Sequence, residues 1–261
     1  MIGDAERPFT IMSVSKPFVF ALVCDLIGAT GARERLGANA TGYPFNATTA
    51  FERSPDGRTN PMVNPGAIAT TSLAKGRNRA ERWRFVRDGL SRFAGRELTL
   101  NEEVYASATA SNFANRGLVW MLESRGRIYC DPLEALDVYT RQCALDVTAR
   151  DLAVMGATLA HGGFNPVSRQ QVVTPEVCHA TLAVMVTAGL YETSGDWLYE
   201  VGLPGKSGIG GGIVTVSPGK GGLGTFAPPL DAAGNSVRGQ LATQYLSRRL
   251  GLDLLVSNPV T

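Results

Sequence analysis

The chain has 261 residues, with 25 Lys+Arg against 23 Asp+Glu and a formal net charge of +2. Its 44% hydrophobic and 18% charged content excludes both a disordered chain and a strongly basic nucleic-acid binder. The longest apolar stretches, such as Phe18 to Cys24, fall far short of the about 20 residues that span a bilayer, so no membrane partner is expected.

In chain order, the first element is an apolar helix entered through Ser13-Val-Ser-Lys16. Lys16, the run Pro17 to Cys24 and the small residues Ala29 to Ala32 have the outline of a signal peptide. Asp4 and Glu6 occupy the place of its positive region, however, and Asp25 interrupts before any cleavage site. From Glu81 to Phe93, Trp83, Val86, Leu90 and Phe93 recur at helical spacing, while Arg82, Arg84, Arg87 and Arg92 form a solvated face. Ser111 to Glu123 reads as a further helix. Asp131-Pro132 then starts one with a cap residue and a first-turn proline, continuing through Leu133, Leu136 and Tyr139. Thr148-Ala-Arg-Asp151 opens the next in capping-box style and Gly162-Gly163 stops it. Thr174-Pro175 begins a helix to about Ala188.

After Leu203, β-branched residues among glycines from Lys206 to Ser217 predict strands. A turn at Pro218-Gly219 and the run Leu223 to Ala227 complete an antiparallel hairpin, and Gly239 to Leu250 closes as a helix. No repeat or linker divides the sequence. The expectation is one α/β (α+β) domain over 1–261, with a helical lobe over about 30–200 and a C-terminal sheet and helix over about 201–255.

Cys24, Cys130, Cys143 and Cys178 lack Cys-x-x-Cys spacing and lie among apolar residues, so they read as reduced core thiols of a cytoplasmic protein. His161 and His179 have no carboxylate or thiol at ligand spacing, so neither a metal site nor a histidine triad is expected. The remaining nucleophile to consider is a serine activated by lysine. Ser13 and Lys16 are one helical turn apart and share a face. Ser72-Leu-Ala-Lys75 and Ser217-Pro-Gly-Lys220 have the same spacing. Ser13 is preferred because it precedes an apolar helix, whose free backbone N–H groups can hold a developing oxyanion. Lys206-Ser207-Gly208 supplies a second element, the Lys-[Ser/Thr]-Gly strand that penicillin-recognising acyl enzymes set opposite Ser-x-x-Lys.

Further segments resemble the serine-dependent glutaminases over nearly the whole chain. They are Phe9 to Lys16, Gly42-Tyr-Pro-Phe-Asn46, Asn60-Pro-Met-Val-Asn64, Tyr139-x-x-x-Cys143, Gly189-Leu-Tyr191, Val201-Gly-Leu-Pro204, Lys206 to Ile213, Pro229-Leu-Asp231 and Gly234-Asn-Ser-Val237. The resemblance implies a β-lactamase-like fold and hydrolysis of L-glutamine to L-glutamate and ammonia, without metal or organic cofactor, by a homo-oligomer. It further implies Ser13 as nucleophile, Lys16 as its base and Tyr191 as a proton relay. The backbone N–H groups of Ser13 and Ile209 would form the oxyanion hole. Asn64, Asn115 and Tyr139 would grip the substrate's α-amino and α-carboxylate groups, and Ser207 would steady the Lys-Ser-Gly wall. The sequons at Asn39 and Asn46 read as loop residues.

Three features depart from the family pattern. Ala108 stands where the family carries a glutamate that partners the substrate ammonium. Met12 replaces a usual glutamine, with Pro17 in the first helical turn. The chain begins at Met1-Ile-Gly-Asp, where the family carries a few dozen more residues with a helix, two strands and a substrate-contacting tyrosine. The expectation is a truncated or mis-started frame that leaves the C-terminal strands an unpaired edge and an apolar face. The rivals are a penicillin-recognising hydrolase, which explains none of the glutaminase-specific segments, and a catalytically impaired homologue that binds an amino acid or serves as a scaffold. An amidohydrolase of altered substrate is the remaining alternative.

Overall fold

Helices begin where side-chain oxygens can satisfy the free N–H groups of a first turn. Asp131 accepts from the backbone of Leu133 and Glu134, Thr174 from that of Val177, and Thr148 with Asp151 forms the reciprocal capping box. The computed structural model describes residues 1–257. The chain enters through β1 (Phe9–Thr10) and a 3₁₀ turn over Met12–Ser15, then runs into α1 (Lys16–Ile27). Lys16 to Cys24 are buried without interruption, so the stretch with a signal-peptide outline is a core helix. Among the described residues no single helix is long and apolar enough to cross a membrane.

α2 (Ala29–Leu36), α3 (Thr48–Glu52), α4 (Asn64–Ser72) and α5 (Arg79–Ala94) follow. The helix expected over Ser111 to Glu123 is instead two, α6 (Glu102–Ser111) and α7 (Phe113–Ser124), broken at Asn112 with φ −81° and ψ 37°. α8 (Pro132–Cys143) leads to β2 (Asp146–Val147), which pairs antiparallel with β1, Phe9 opposite Val147. α9 (Ala149–Ala160), α10 (Pro175–Ala188) and α11 (Ser194–Val201) precede the sheet, and α12 (Val237–Arg249) follows it.

The sheet is antiparallel in the order β3 (Gly205–Ser207), β4 (Gly212–Ser217), β5 (Gly221–Phe226). The predicted strand region from Lys206 to Ser217 is thus two strands joined by the turn Gly208 to Gly211. One hydrophobic cluster joins Phe9, Val14 and Phe18 to Leu90 and Phe93, Leu152 and Met155, and Val214 and Val216, so the sheet and α1 share a core. β5 forms one edge of the sheet, its side chains half-buried, and α12 leaves Leu241 and Tyr245 exposed. The four cysteines are free; Cys24 and Cys178 are core thiols, whereas Cys130 and Cys143 are only half-buried, a correction to the uniform reading. Cys130 lies just before α8, in the link from α7, and Cys143 at the last residue of α8.

Glycines let α9 lie directly on the sheet. A Cβ built on Gly224 would collide with the backbone oxygen of Ala149, and one on Gly222 with the backbone of Ala153 and Ala157. Backbone cannot give way as a flexible side chain can. Gly221, three residues before Gly224 on the same strand, has open space around it. Gly224→Ala is therefore expected to destabilise by about 3 kcal/mol and Gly221→Ala by less than about 0.5 kcal/mol, read from urea unfolding midpoints. Equal stability of the two variants would contradict this packing.

Candidate active site

Burial separates the three Ser-x-x-Lys sequences. Lys75 and Lys220 are exposed, while Lys16 is 1% exposed. Ser13 is buried in the 3₁₀ turn that precedes it. Met12 just before holds a left-handed φ of 47°, which a non-glycine side chain adopts only under constraint. The turn between β3 and β4 packs against this segment. A Cβ on Gly208 would lie 3.2 Å from Ser13 N, and one on Gly210 would lie 2.5 Å from the Thr10 oxygen. Small residues there bring the backbone around Ile209 up to the Ser13 segment.

Lys16 Nζ donates to Asn64 Oδ1 at 2.7 Å, and Tyr139 Oη donates to the same oxygen at 2.9 Å. Asn64 opens α4, so its side chain comes from a helix start, as Ser13's does. Its Nδ2 donates to Asn115 Oδ1 on α7 at 3.0 Å. The rings of Phe45, Tyr139 and Tyr191 surround Lys16 Nζ, with centroids 6.0, 6.0 and 5.9 Å away. Tyr191, itself left-handed at φ 58°, lies beside the Ser13 hydroxyl and donates to the Ser207 carbonyl at 3.3 Å. Ser207 Oγ donates to Asn235 Oδ1 at 2.5 Å, and Asn235 Nδ2 to Thr193 Oγ1 at 3.0 Å.

A second lysine, Lys206, is wholly buried. Its Nζ donates to the carbonyls of Gly189 and Ser207 at 2.6 and 2.8 Å and lies 3.8 Å from the Tyr191 ring centroid. Burial disfavours an ammonium, so Lys16 is held down to about 8, with the Cys143 thiol acting in the opposite sense. Lys206 is pushed well below the ordinary lysine value, first by burial and then by Lys16. Burial raises Tyr139 and Tyr191, which keeps both as phenols that can donate.

Ser13, Lys16, Asn64, Asn115, Tyr139, Tyr191, Ser207 and the Ile209 turn thus meet in one place. Local sequence alone does not mark the Lys206 amine, Phe45, Asn235 or Asn112. Phe45 and Asn235 did lie inside segments of the glutaminase resemblance, and Lys206 opened the Lys-Ser-Gly wall, but a motif does not say which of its side chains turn inward. Ala108 is half-buried on α6. His161 and His179 are exposed.

The family model for glutaminase matches residues 1–255. Glutaminase 2 of Yersinia pestis is 70% identical over 259 residues, 99% of this chain and 76% of that protein. A glutaminase of Desulfovibrio desulfuricans is 45% identical over 252 residues, 97% of this chain and 81% of that protein. Among solved structures, the probable glutaminase ybaS aligns with a TM-score of 0.96 at 44% identity, over 98% of this chain and 83% of its own. The covalent complex of the Bacillus subtilis glutaminase YbgJ with 5-oxo-L-norleucine aligns with a TM-score of 0.87 at 29% identity, over 97% and 84%. With its β-lactamase-like fold and matches along nearly its full length, the chain belongs to the glutaminase family.

Proposed function

We propose that the chain hydrolyses L-glutamine to L-glutamate and ammonia through an acyl-enzyme on Ser13. The observation that carries this reading is Lys16, buried one turn from Ser13 with a neutral acceptor and a lowered pKa. Neutral Lys16 takes the Ser13 proton as Oγ attacks the carboxamide carbon. The backbone N–H groups of Ser13 and Ile209 receive the developing oxyanion. The C–N bond breaks as the Tyr191 phenol protonates the leaving nitrogen, and Tyr191 regains a proton from Lys16. Water then attacks the Ser13 ester and releases glutamate. The covalent adduct of YbgJ, formed by reaction with 6-diazo-5-oxo-L-norleucine, supports a covalent route in a relative.

Asn64, Asn115 and Tyr139 hold the α-amino and α-carboxylate groups, and Ser207 braces the opposite wall. The reading includes a homo-oligomer, supported by Phe113 and Trp120, 71% and 54% exposed on one face of α7. It also includes a cytoplasmic location, supported by four free thiols. A second reading, an amide other than glutamine, is favoured by Ala108, which offers no carboxylate to a substrate ammonium.

Ser13→Ala is expected to abolish ammonia release from L-glutamine, measured on purified protein; release that persists would remove the acyl-enzyme. Because the base must be neutral, activity is lost as pH falls through the Lys16 pKa. A pH–rate profile should show kcat/KM flat above about 8 and falling about tenfold per unit below it. A charge-assisted hydrogen bond contributes about 1.5–3 kcal/mol, so Ala108→Glu should lower KM for L-glutamine by about one to two decades. An unchanged KM would show that position 108 does not meet the ammonium.

A further inference from the structure

A single file of amides runs from Lys16 to Thr140 on α8. Lys16 Nζ donates to Asn64 Oδ1, Asn64 Nδ2 to Asn115 Oδ1 at 3.0 Å, Asn115 Nδ2 to Asn112 Oδ1 at 2.7 Å, and Asn112 Nδ2 to Thr140 Oγ1 at 2.9 Å. Thr140 Oγ1 gives its only proton to the Leu136 carbonyl at 2.8 Å. Both ends therefore impose the same direction. A hydroxyl whose proton is engaged can only accept from Asn112, and at the other end the Asn64 oxygen accepts from both Lys16 Nζ and Tyr139 Oη.

Asn112 gives up something to take part. Asn78 and Asn101, which precede α5 and α6, cap those helices by accepting from the backbone of Glu81 and Val104. Asn112 stands at the same point before α7 and makes no such cap bond, its side chain spanning Asn115 and Thr140 instead. A forgone cap at a helix break indicates a competing demand on the side chain.

We infer that Asn112 is a positioning residue, which with Thr140 fixes the polarity of the Asn115–Asn64 pair so that Asn64 presents oxygen, never N–H, to Lys16. An amide carbonyl there accepts a Lys16 proton and leaves the amine lone pair free to point at Ser13. A reversed Asn64 would donate into that lone pair and hold it away from the serine. This rests on the Ser13–Lys16 reading above. The other titratable groups facing Lys16 are Tyr139 and Cys143 from α8, Tyr191 from the turn before α11 and Lys206 from β3; none is altered by the variants below.

The test compares Asn112→Ala, Asn112→Asp and Thr140→Val in ammonia release from L-glutamine across pH, with thermal unfolding to establish folding. Asn112→Ala frees the amides to reverse, which favours neutral Lys16 while tying up its lone pair. The expected result is a kcat lower by roughly 10-fold or more, with the acidic limb of kcat/KM moved to lower pH. Asp at 112 can only accept from Asn115, so Asn112→Asp should hold kcat within roughly threefold and not move the limb downward. Thr140→Val, nearly isosteric and not among the residues assigned to the substrate, should reproduce the Asn112→Ala signature and decides the matter if Asn112→Ala does not fold. Unchanged kcat and limb in Asn112→Ala and Thr140→Val, or equal losses in all three variants with the limb fixed, would overturn the inference. Activity that survives Ser13→Ala would remove the Ser-Lys reading, and this inference with it.

Discussion

Everything at the site depends on keeping an amine out of water without giving it a carboxylate. Lys16 faces an amide oxygen and three aromatic rings, and Lys206 faces two backbone carbonyls and the ring of Tyr191. A carboxylate partner would hold either lysine as an ammonium and leave Ser13 without the base proposed for it. Neutral acceptors solve the hydrogen bonding of a buried amine without fixing its charge. The displacement of Lys16 to about 8 corresponds to about 3 kcal/mol against its charged form, which the surrounding fold has to sustain. Two such amines at one site set a further constraint, since the charge of Lys16 disfavours that of Lys206.

The support comes from packing immediately behind the site. α1 begins with Lys16 itself and buries Phe18, Val19, Phe20, Leu22 and Val23, so the helix that carries Lys16 is also a centre of the hydrophobic core. α9 approaches β5 so closely that only glycine fits at 222 and 224, which seats the sheet against Leu152 and Met155. The β3–β4 turn then reaches the Ser13 segment through Gly208 and Gly210. Glycines that weaken a strand by their conformational freedom are retained here because their missing side chains let three backbones meet.

How much of this was readable in the sequence follows from the range of the forces involved. Helix starts at Asp131, Thr148 and Thr174 depend on contacts two or three residues away, so the pattern is local and legible. The pairing of β1 with β2 joins Phe9 to Val147 across about half of the chain, and a two-residue strand carries no periodicity to announce it. The break at Asn112 was invisible for a related reason. Asn112 side-chain partners lie on α7 and α8, so its exit from helix is a tertiary demand that overrides local propensity. Ser13 and Lys16 were legible through spacing, but the choice among three such pairs rests on burial. The Asn64 and Tyr191 positions came from family resemblance and not from any intrinsic signal. The second buried amine at Lys206 was read as part of a wall, because a lysine in a strand gives no local sign of pointing inward.

Two non-glycine residues with left-handed backbone, Met12 and Tyr191, flank Ser13, one just before it and the other bearing the phenol beside it. Each such conformation costs about 1–3 kcal/mol and persists only where neighbours over-determine it. At Tyr191 the neighbours are evident: Ser194 Oγ donates to the Tyr191 carbonyl at 2.7 Å and accepts from the Leu190 N–H at 3.1 Å, closing a small loop that holds the tyrosine in place. At Met12 the Ser15 hydroxyl donates to its carbonyl at 2.8 Å, and the same hydroxyl accepts from Gln142 at 3.3 Å. Both strained residues are therefore tied by a serine three positions on, and the Ser15 tie runs on to α8, the helix that also carries Tyr139 and Thr140. The backbone bend that carries Ser13 and the hydrogen bonds around Lys16 are thus anchored on the same helix. Displacing α8 would relax the Met12 turn and loosen the acceptor of Lys16 together, which ties the geometry of Ser13 to that of Lys16.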